Sequence, residues 1–145
     1  MESEIILQLF LAIFLGALIG LEREYKKKGA GLRTFSLVSL GSCLFTIVFL
    51  NLDNLFLKKP GINFDPSRLV QAIAVGIGFI GAGVIFRQQS EIVGLTTAAA
   101  LWTTAAIGIA IGIKLYFFAI FSTFLTLLIL AGFRLLKEKT LKKVE

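Results

Sequence analysis

The sequence contains no histidine, a single cysteine and only two prolines among its 145 residues. Without histidine, the common zinc sites of histidine and cysteine and the serine–histidine–aspartate triad are both excluded. The lone Cys43 has no partner in the chain for a disulfide, which excludes a secreted disulfide-rich domain. Charged residues are also scarce, at 17% of the chain against about 25% in a typical soluble domain. Since no nucleophile is paired with a base, we expect that the protein is not an enzyme.

The few charges are distributed unevenly, because five stretches of 17 to 22 residues carry none at all. A helix needs about 20 apolar residues to cross the hydrocarbon core of a bilayer. The spacing therefore predicts an all-α protein, a membrane bundle of five transmembrane helices. The predicted spans are residues 5–21, 34–52, 69–86, 92–113 and 115–133. We expect residues 1–145 to form a single transmembrane domain, with no soluble C-terminal domain.

The basic residues predict the orientation of these spans. Five spans place successive connecting segments on alternate sides, and 11 of the 15 Lys and Arg residues then fall on one side. Positively charged short loops stay in the cytoplasm, so the N-terminus is predicted outside and the C-terminus inside. The basic residues behind the net charge of +6 thus lie where this orientation of the spans requires them. Nucleic-acid binding is not expected, because the basic residues flank apolar runs instead of covering one face.

This orientation gathers the unusual polar residues at the cytoplasmic face. Spans two and four begin there, so the positive ends of their helix dipoles point at the same region. We expect a paired network of carboxylates, arginines and hydroxyls that fixes the helix ends or favours an anionic group. Its predicted members are Glu22, Arg23, Glu24, Arg33, Arg87, Thr96 and Thr97. The alternative interpretation is ordinary ion pairing at a membrane surface, worth roughly a few tenths of a kcal/mol per pair.

Glycines at regular spacing predict close packing of the helices. Residues 76–81 spell G-x-G-x-x-G, but that dinucleotide fingerprint has meaning only between a strand and a helix. Inside an uncharged span, glycines instead let neighbouring backbones approach closely. The predicted packing glycines are Gly16, Gly20, Gly76, Gly78, Gly81, Gly83, Gly108 and Gly112. Threonines that recur seven residues apart in the fourth span are expected to bond across helices, or to line a polar pathway.

Four short motifs, taken together, carry a family resemblance. They are GLERE at 20–24, AGLRTF at 30–35, GIGFIGAG at 76–83, and GLTTAA at 94–99 followed by Leu101 and Trp102. In this order the motifs resemble the MgtC/SapB family of bacterial inner-membrane proteins. The resemblance implies a multi-span helical domain linked to magnesium homeostasis, to growth at low magnesium and, in pathogens, to survival inside phagocytes. It also implies binding and restraint of the F-type ATP synthase.

Two functions remain open on the sequence alone. A regulator that binds another membrane complex needs exposed packing faces and no polar path through the bilayer. A small magnesium transporter or channel, acting as a homo-oligomer, needs ionisable groups near the midplane and oxygen ligands in octahedral geometry. The five spans contain no charge, which favours the regulator. No cofactor is expected, and no metal-binding residue is assigned.

Overall fold

The predicted five-helix architecture is confirmed by a computed structural model. The structure describes residues 2–56 and 65–141, with side chains described at 2–52 and 65–132. Its elements are α1 (Glu2–Tyr25), α2 (Leu32–Phe56), α3 (Ser67–Val84), β1 (Phe86–Gln88), β2 (Glu91–Val93), α4 (Leu95–Gly112) and α5 (Tyr116–Leu141). Lys58, Lys59 and the basic tail after Leu141, which entered the orientation count, lie outside the described residues.

Four of the helices are long and apolar enough to cross a membrane: α1, α2 over Leu32–Leu52, α3 and α4. The apolar part of α5, Tyr116–Gly132, has 17 residues within the region described. At 1.5 Å per residue it extends about 26 Å, close to the thickness of the hydrocarbon core. Large apolar side chains point out of the bundle, including Phe117 at 72% exposed. The chain is therefore a multi-pass membrane protein whose outer surface faces lipid.

The predicted inner ends of spans three and four are wrong by a few residues. Residues 85–86 and 92–94 are not helical, because β1 and β2 pair there as an antiparallel hairpin with Phe86 opposite Val93. Gln89, with φ at +54°, forms the turn. A stretch without charges indicates that its residues lie in the membrane, but it does not indicate whether their backbone is helical. Phe86 and Ile92 are apolar and exposed, so they extended the apolar runs past the true helix ends.

The core of the bundle is formed by α1, α2 and α4. A Cβ atom placed at Gly16 of α1 would lie 2.6 Å from the carbonyl oxygen of Phe35 on α2. On the other side of α2, a Cβ at Gly108 of α4 would overlap the carbonyl oxygen of Ser39. Ser39 is completely buried between them. The two glycines thus let α1 and α4 approach the α2 backbone from opposite sides.

The eight predicted packing glycines fall into two groups. Gly20 and Gly112 make close contacts of the same kind as Gly16 and Gly108, with Leu32 and Thr46 respectively. Gly81 makes an ordinary contact, since a Cβ atom placed on it would lie 3.5 Å from the Cβ of Ala98. At the remaining three, an added Cβ atom would meet no heavy atom within 4 Å; they are Gly76, Gly78 and Gly83. The open glycines all lie on α3, which packs mainly on α4 and touches α2 only lightly.

Candidate functional site

One end of the bundle collects every residue of the predicted polar network. Gly20 of α1 contacts Leu32 at the start of α2, and Gly81 of α3 contacts Ala98 near the start of α4. Gly108 and Gly112 of α4 contact Ser39 and Thr46 of α2 in the same order along both helices, so α2 and α4 run in the same direction. The α1–α2 connection and the β-hairpin therefore lie at the same end, together with the first turn of α4. We call this the basic end, defined by Lys26, Lys27, Lys28, Arg33 and Arg87. It is the end predicted to face the cytoplasm.

Glu22 and Arg23 form a buried ion pair at the basic end. The Nε atom of Arg23 lies 2.5 Å from Oε2 of Glu22, and their side chains are only 5% and 12% exposed. The second carboxylate oxygen, Oε1 of Glu22, is buried and has no hydrogen-bond partner among the described residues. Burying two charges is costly, and the pair is tolerated because each charge compensates the other. Removal of either partner would leave an uncompensated charge.

Glu24 fills the position that the sequence had left open to an anionic group. Its Oε2 atom accepts a hydrogen bond of 2.8 Å from the backbone N–H of Leu32, the first residue of α2. A carboxylate is stabilised there by the unpaired N–H groups and by the helix dipole. Gly31 makes room for this contact, because a Cβ atom on it would lie 2.7 Å from the same carboxylate oxygen. The chain thus caps α2 with its own side chain.

The other predicted network residues are placed nearby without joining the ion pair. Arg33 and Thr96 are exposed, whereas Thr97 is buried. Arg87 is exposed on β1, and its Nε donates to the carbonyl oxygen of Gln89, at 3.2 Å, within the hairpin. Among the described residues no ion pair involves Arg33 or Arg87. Within the predicted network, Glu22 thus pairs with its neighbour in sequence, Arg23.

The hydroxyls of α4 bond within their own helix. Thr103 donates to the carbonyl oxygen of Ala99 at 3.0 Å, and Thr104 donates to that of Ala100 at 2.8 Å. The expected bonds across helices are absent for these two threonines, because a carbonyl one turn back in the same helix is always within reach. Thr103 still lines a groove between α4 and α5 of about 410 Å³. Thr96, Ser122 and Thr126 lie along the same groove.

The opposite end of the bundle is held by contacts that the sequence did not reveal. Gln8, only 1% exposed, donates from Nε2 to the carbonyl oxygens of Ile111, at 2.7 Å, and Gly112, at 3.1 Å. These carbonyls lie at the end of α4, where no further helical turn follows; that of Ile111 also accepts from the backbone N–H of Lys114, at 2.9 Å. The Nζ atom of Lys114 lies 2.8 Å from Oε1 of Glu4. This carboxylate raises the pKa of the Lys114 ammonium above its usual value. Gln8 was detectable as the only amide in the first span.

Replacing Gln8 with leucine should destabilise the bundle by about 1–2 kcal/mol, because two buried carbonyl bonds are lost while the size of the side chain is kept. The free energy of unfolding in mixed micelles measures this. The matched control is Gln71→Leu on α3, where the native glutamine is exposed. An equal loss of stability in both variants would show that the Gln8 bonds contribute nothing specific.

Two further features bear on ligand binding. No group of three or more His, Cys, Asp or Glu side chains that would hold a metal ion occurs in the part of the chain that the structure describes. An apolar groove of about 580 Å³ runs between α2 and α3. We call it the α2/α3 groove; Thr34, Gly41 and Phe45 line it from α2, and Gly76 and Ile80 line it from α3.

Comparison with known proteins gives consistent matches over most of the chain. The profile of the MgtC family matches residues 9–139. YhiD of Escherichia coli (strain K12) is 45% identical over 145 residues, covering 99% of this chain and 66% of YhiD. SapB of Bacillus subtilis (strain 168) is 44% identical over 116 residues, 79% of this chain and 50% of SapB. MgtC of Salmonella typhimurium (strain LT2) is 40% identical over 122 residues, 84% of this chain and 49% of MgtC. The chain thus spans about half to two thirds of the length of these relatives, and no solved structure matches it.

Proposed function

Because the chain belongs to the MgtC family, we propose that it is a non-enzymatic protein of the bacterial inner membrane that serves magnesium homeostasis by binding another membrane protein complex. The resemblance in sequence makes the F-type ATP synthase the first candidate for that complex. The proposed orientation has the basic end in the cytoplasm, since short basic loops remain on that side of the membrane.

The observation that carries this proposal is the outward side of α3. We call it the outer α3 face and define it by Val75, Gly78, Phe79 and Ala82, which follow one another at short intervals that keep them on one side of the helix. Val75 is 73% exposed and Phe79 is 84% exposed. A Cβ atom on Gly78 would meet nothing within 4 Å.

Small residues on an exposed membrane helix favour a protein neighbour over lipid. Within a bilayer, helices associate through close backbone approach at glycine and alanine, since the lipid tails are as apolar as leucine. The glycines of the core already use this principle between α2 and α4. The outer α3 face has the same arrangement. Phe79 protrudes beside the flat surface at Gly78, and a helix of another protein can pack against both.

The test is capture of the tagged protein from native membranes in mild detergent, followed by mass spectrometry of the proteins retained. Gly78→Leu fills the outer α3 face and should lower the recovery of the partner at least about fivefold. This factor corresponds to a loss of about 1 kcal/mol in binding free energy, the effect of an important interface residue. Ala106→Leu, at an exposed position of α4, is the matched control and should retain the partner. Equal recovery with both variants would contradict the proposed face.

A second candidate function is transport of magnesium. The name of one relative, "Putative magnesium transporter YhiD", favours it. A purified homo-oligomer that moves magnesium into sealed liposomes, while retaining no other membrane protein during capture, would support the transporter and contradict the regulator.

A further inference from the structure

The α2/α3 groove is apolar and lies on the side of the bundle that faces lipid. Two glycines open its floor: a Cβ atom placed on Gly41 of α2 or on Gly76 of α3 would meet no heavy atom within 4 Å. Leu37 and Phe45 of α2 form part of its wall and are both about two-thirds exposed (66% and 65%). The groove is thus apolar and accessible from the bilayer.

The length of the groove matches the thickness of a single leaflet. On α2 it begins at Thr34, two residues after the helix starts at the basic end, and it reaches Phe45. Eleven residues of helix rise about 16 Å, which is close to half of the roughly 30 Å hydrocarbon core. On α3 the groove extends from Ile80 to Leu69, which lies two residues after that helix begins at the opposite end. The groove therefore starts near the membrane surface at the basic end and reaches past the midplane.

A positive charge lies at the mouth of the groove. Arg33 is exposed, and no hydrogen bond or ion pair of its side chain occurs among the described residues. It precedes Leu37 and Gly41 by four and eight residues, so all three share the face of α2 that lines the groove. Helical side chains tilt towards the N-terminus of their helix, which directs Arg33 towards the surface at the basic end. Lys26 and Lys28 add positive charge there.

The charge beside the groove favours a lipid over a helix of another protein. A transmembrane helix with side chains is about 10 Å or more across. An acyl chain is far thinner and has the length of one leaflet. A phosphate at its end would reach the level of Arg33.

We propose that the α2/α3 groove binds one acyl chain of an anionic phospholipid from the leaflet at the basic end, and that Arg33 binds the phosphate of its headgroup. The bound lipid fills the gap that α3 leaves by packing mainly on α4. This site is separate from the outer α3 face, so either proposal can fail without the other.

The site can be located with a phosphatidylglycerol that carries a photoreactive diazirine on its acyl chain. The full-length protein is reconstituted with this lipid, irradiated and digested for mass spectrometry. Labels should concentrate in residues 34–45 and 69–80. Labels concentrated in the α4–α5 groove, or spread evenly over all exposed helix faces, would overturn the proposal.

Selectivity for the headgroup is tested by native mass spectrometry of the purified protein with phosphatidylglycerol or phosphatidylethanolamine of the same acyl composition. The wild-type protein should retain the anionic lipid preferentially. Arg33→Gln should reduce that preference about fivefold, the effect of one basic residue at an anionic surface. Arg87→Gln removes an arginine from the same end but outside the groove, and should leave the preference within about twofold of wild type.

Gly41→Leu tests the groove itself. Its side chain would enter open space in the groove, so retention of both lipids should fall while the melting temperature stays close to that of wild type. Ala106→Leu again serves as the control for added bulk. Equal selectivity in the two arginine variants, or unchanged lipid retention in Gly41→Leu, would overturn the proposal. A dimer that expels lipid and cross-links α2 to α2 would assign the groove to a second copy and would overturn it as well.

Discussion

Replacing Gly108 with valine is expected to cause one of the two largest losses of stability among the substitutions considered for this protein. A Cβ atom at this position would overlap the carbonyl oxygen of Ser39 and lie 2.9 Å from the Cβ of Ser42. Neither neighbour is the end of a flexible side chain, so α2 and α4 must separate. Overpacking of a core typically costs about 1–3 kcal/mol. Since two backbones must move here, we expect a loss of about 3 kcal/mol or more.

Such a loss is a large share of the stability of a typical domain, about 5–15 kcal/mol, so the yield of folded protein should also fall. Unfolding by sodium dodecyl sulfate in mixed micelles measures the change. Gly78→Val is the matched control, because it makes the same chemical change on α3 where no atom lies within 4 Å. Valine has a slightly higher helix propensity than glycine, so the control should be neutral. Similar losses in both variants would show that close packing of α4 on α2 is not the cause.

Replacing Arg23 with methionine should cost about 3–5 kcal/mol, the usual effect of removing one partner of a buried ion pair. Methionine keeps much of the length of the side chain, so the loss reflects charge. The Glu22 carboxylate, only 12% exposed, would then lie buried without a counter-charge. One of its oxygens already lacks a hydrogen-bond partner among the described residues. The free energy of unfolding in mixed micelles again measures the effect.

A double-mutant cycle separates the charge from the packing. Combining Arg23→Met with Glu22→Gln removes the unpaired carboxylate and should restore more than half of the lost stability. Arg33→Met is the control for a nearby arginine, and its effect should stay within about 0.5 kcal/mol because that side chain is exposed. If Arg33→Met were as harmful as Arg23→Met, the buried pair would not be the important contact.

The architecture was predictable because lipid imposes a simple rule on the sequence. Charges are excluded from a hydrocarbon core about 30 Å thick, so their spacing alone indicated five helices. The convergence of residues 22–24, 31–34 and 94–97 at one end followed from the alternation of the spans. These inferences depend only on where a segment lies relative to the membrane.

Contacts between helices were less predictable because they depend on rotation about each helix axis. Gly78 and Gly108 occur in similar small-residue patterns, yet only Gly108 meets another backbone. Likewise, nothing in the sequence distinguished the buried Arg23 from the exposed Arg33. The hairpin of β1 and β2 escaped prediction because its apolar residues continue the hydrophobic runs. Gln8 was visible as a polar residue in an apolar span, but its partners on α4 are over 100 residues away.

The unequal packing of α3 has a consequence for biogenesis. As the chain leaves the ribosome, α1 and α2 can pack against each other as soon as both are synthesised, through Gly16 and Gly20. The third segment then enters the lipid with only light contact to its predecessors, and its main neighbour, α4, has not yet been synthesised. We therefore expect insertion to pass through a stage in which α3 lies in the membrane with few contacts to other helices. Mutations that delay the arrival of α4 should expose this intermediate to membrane proteases.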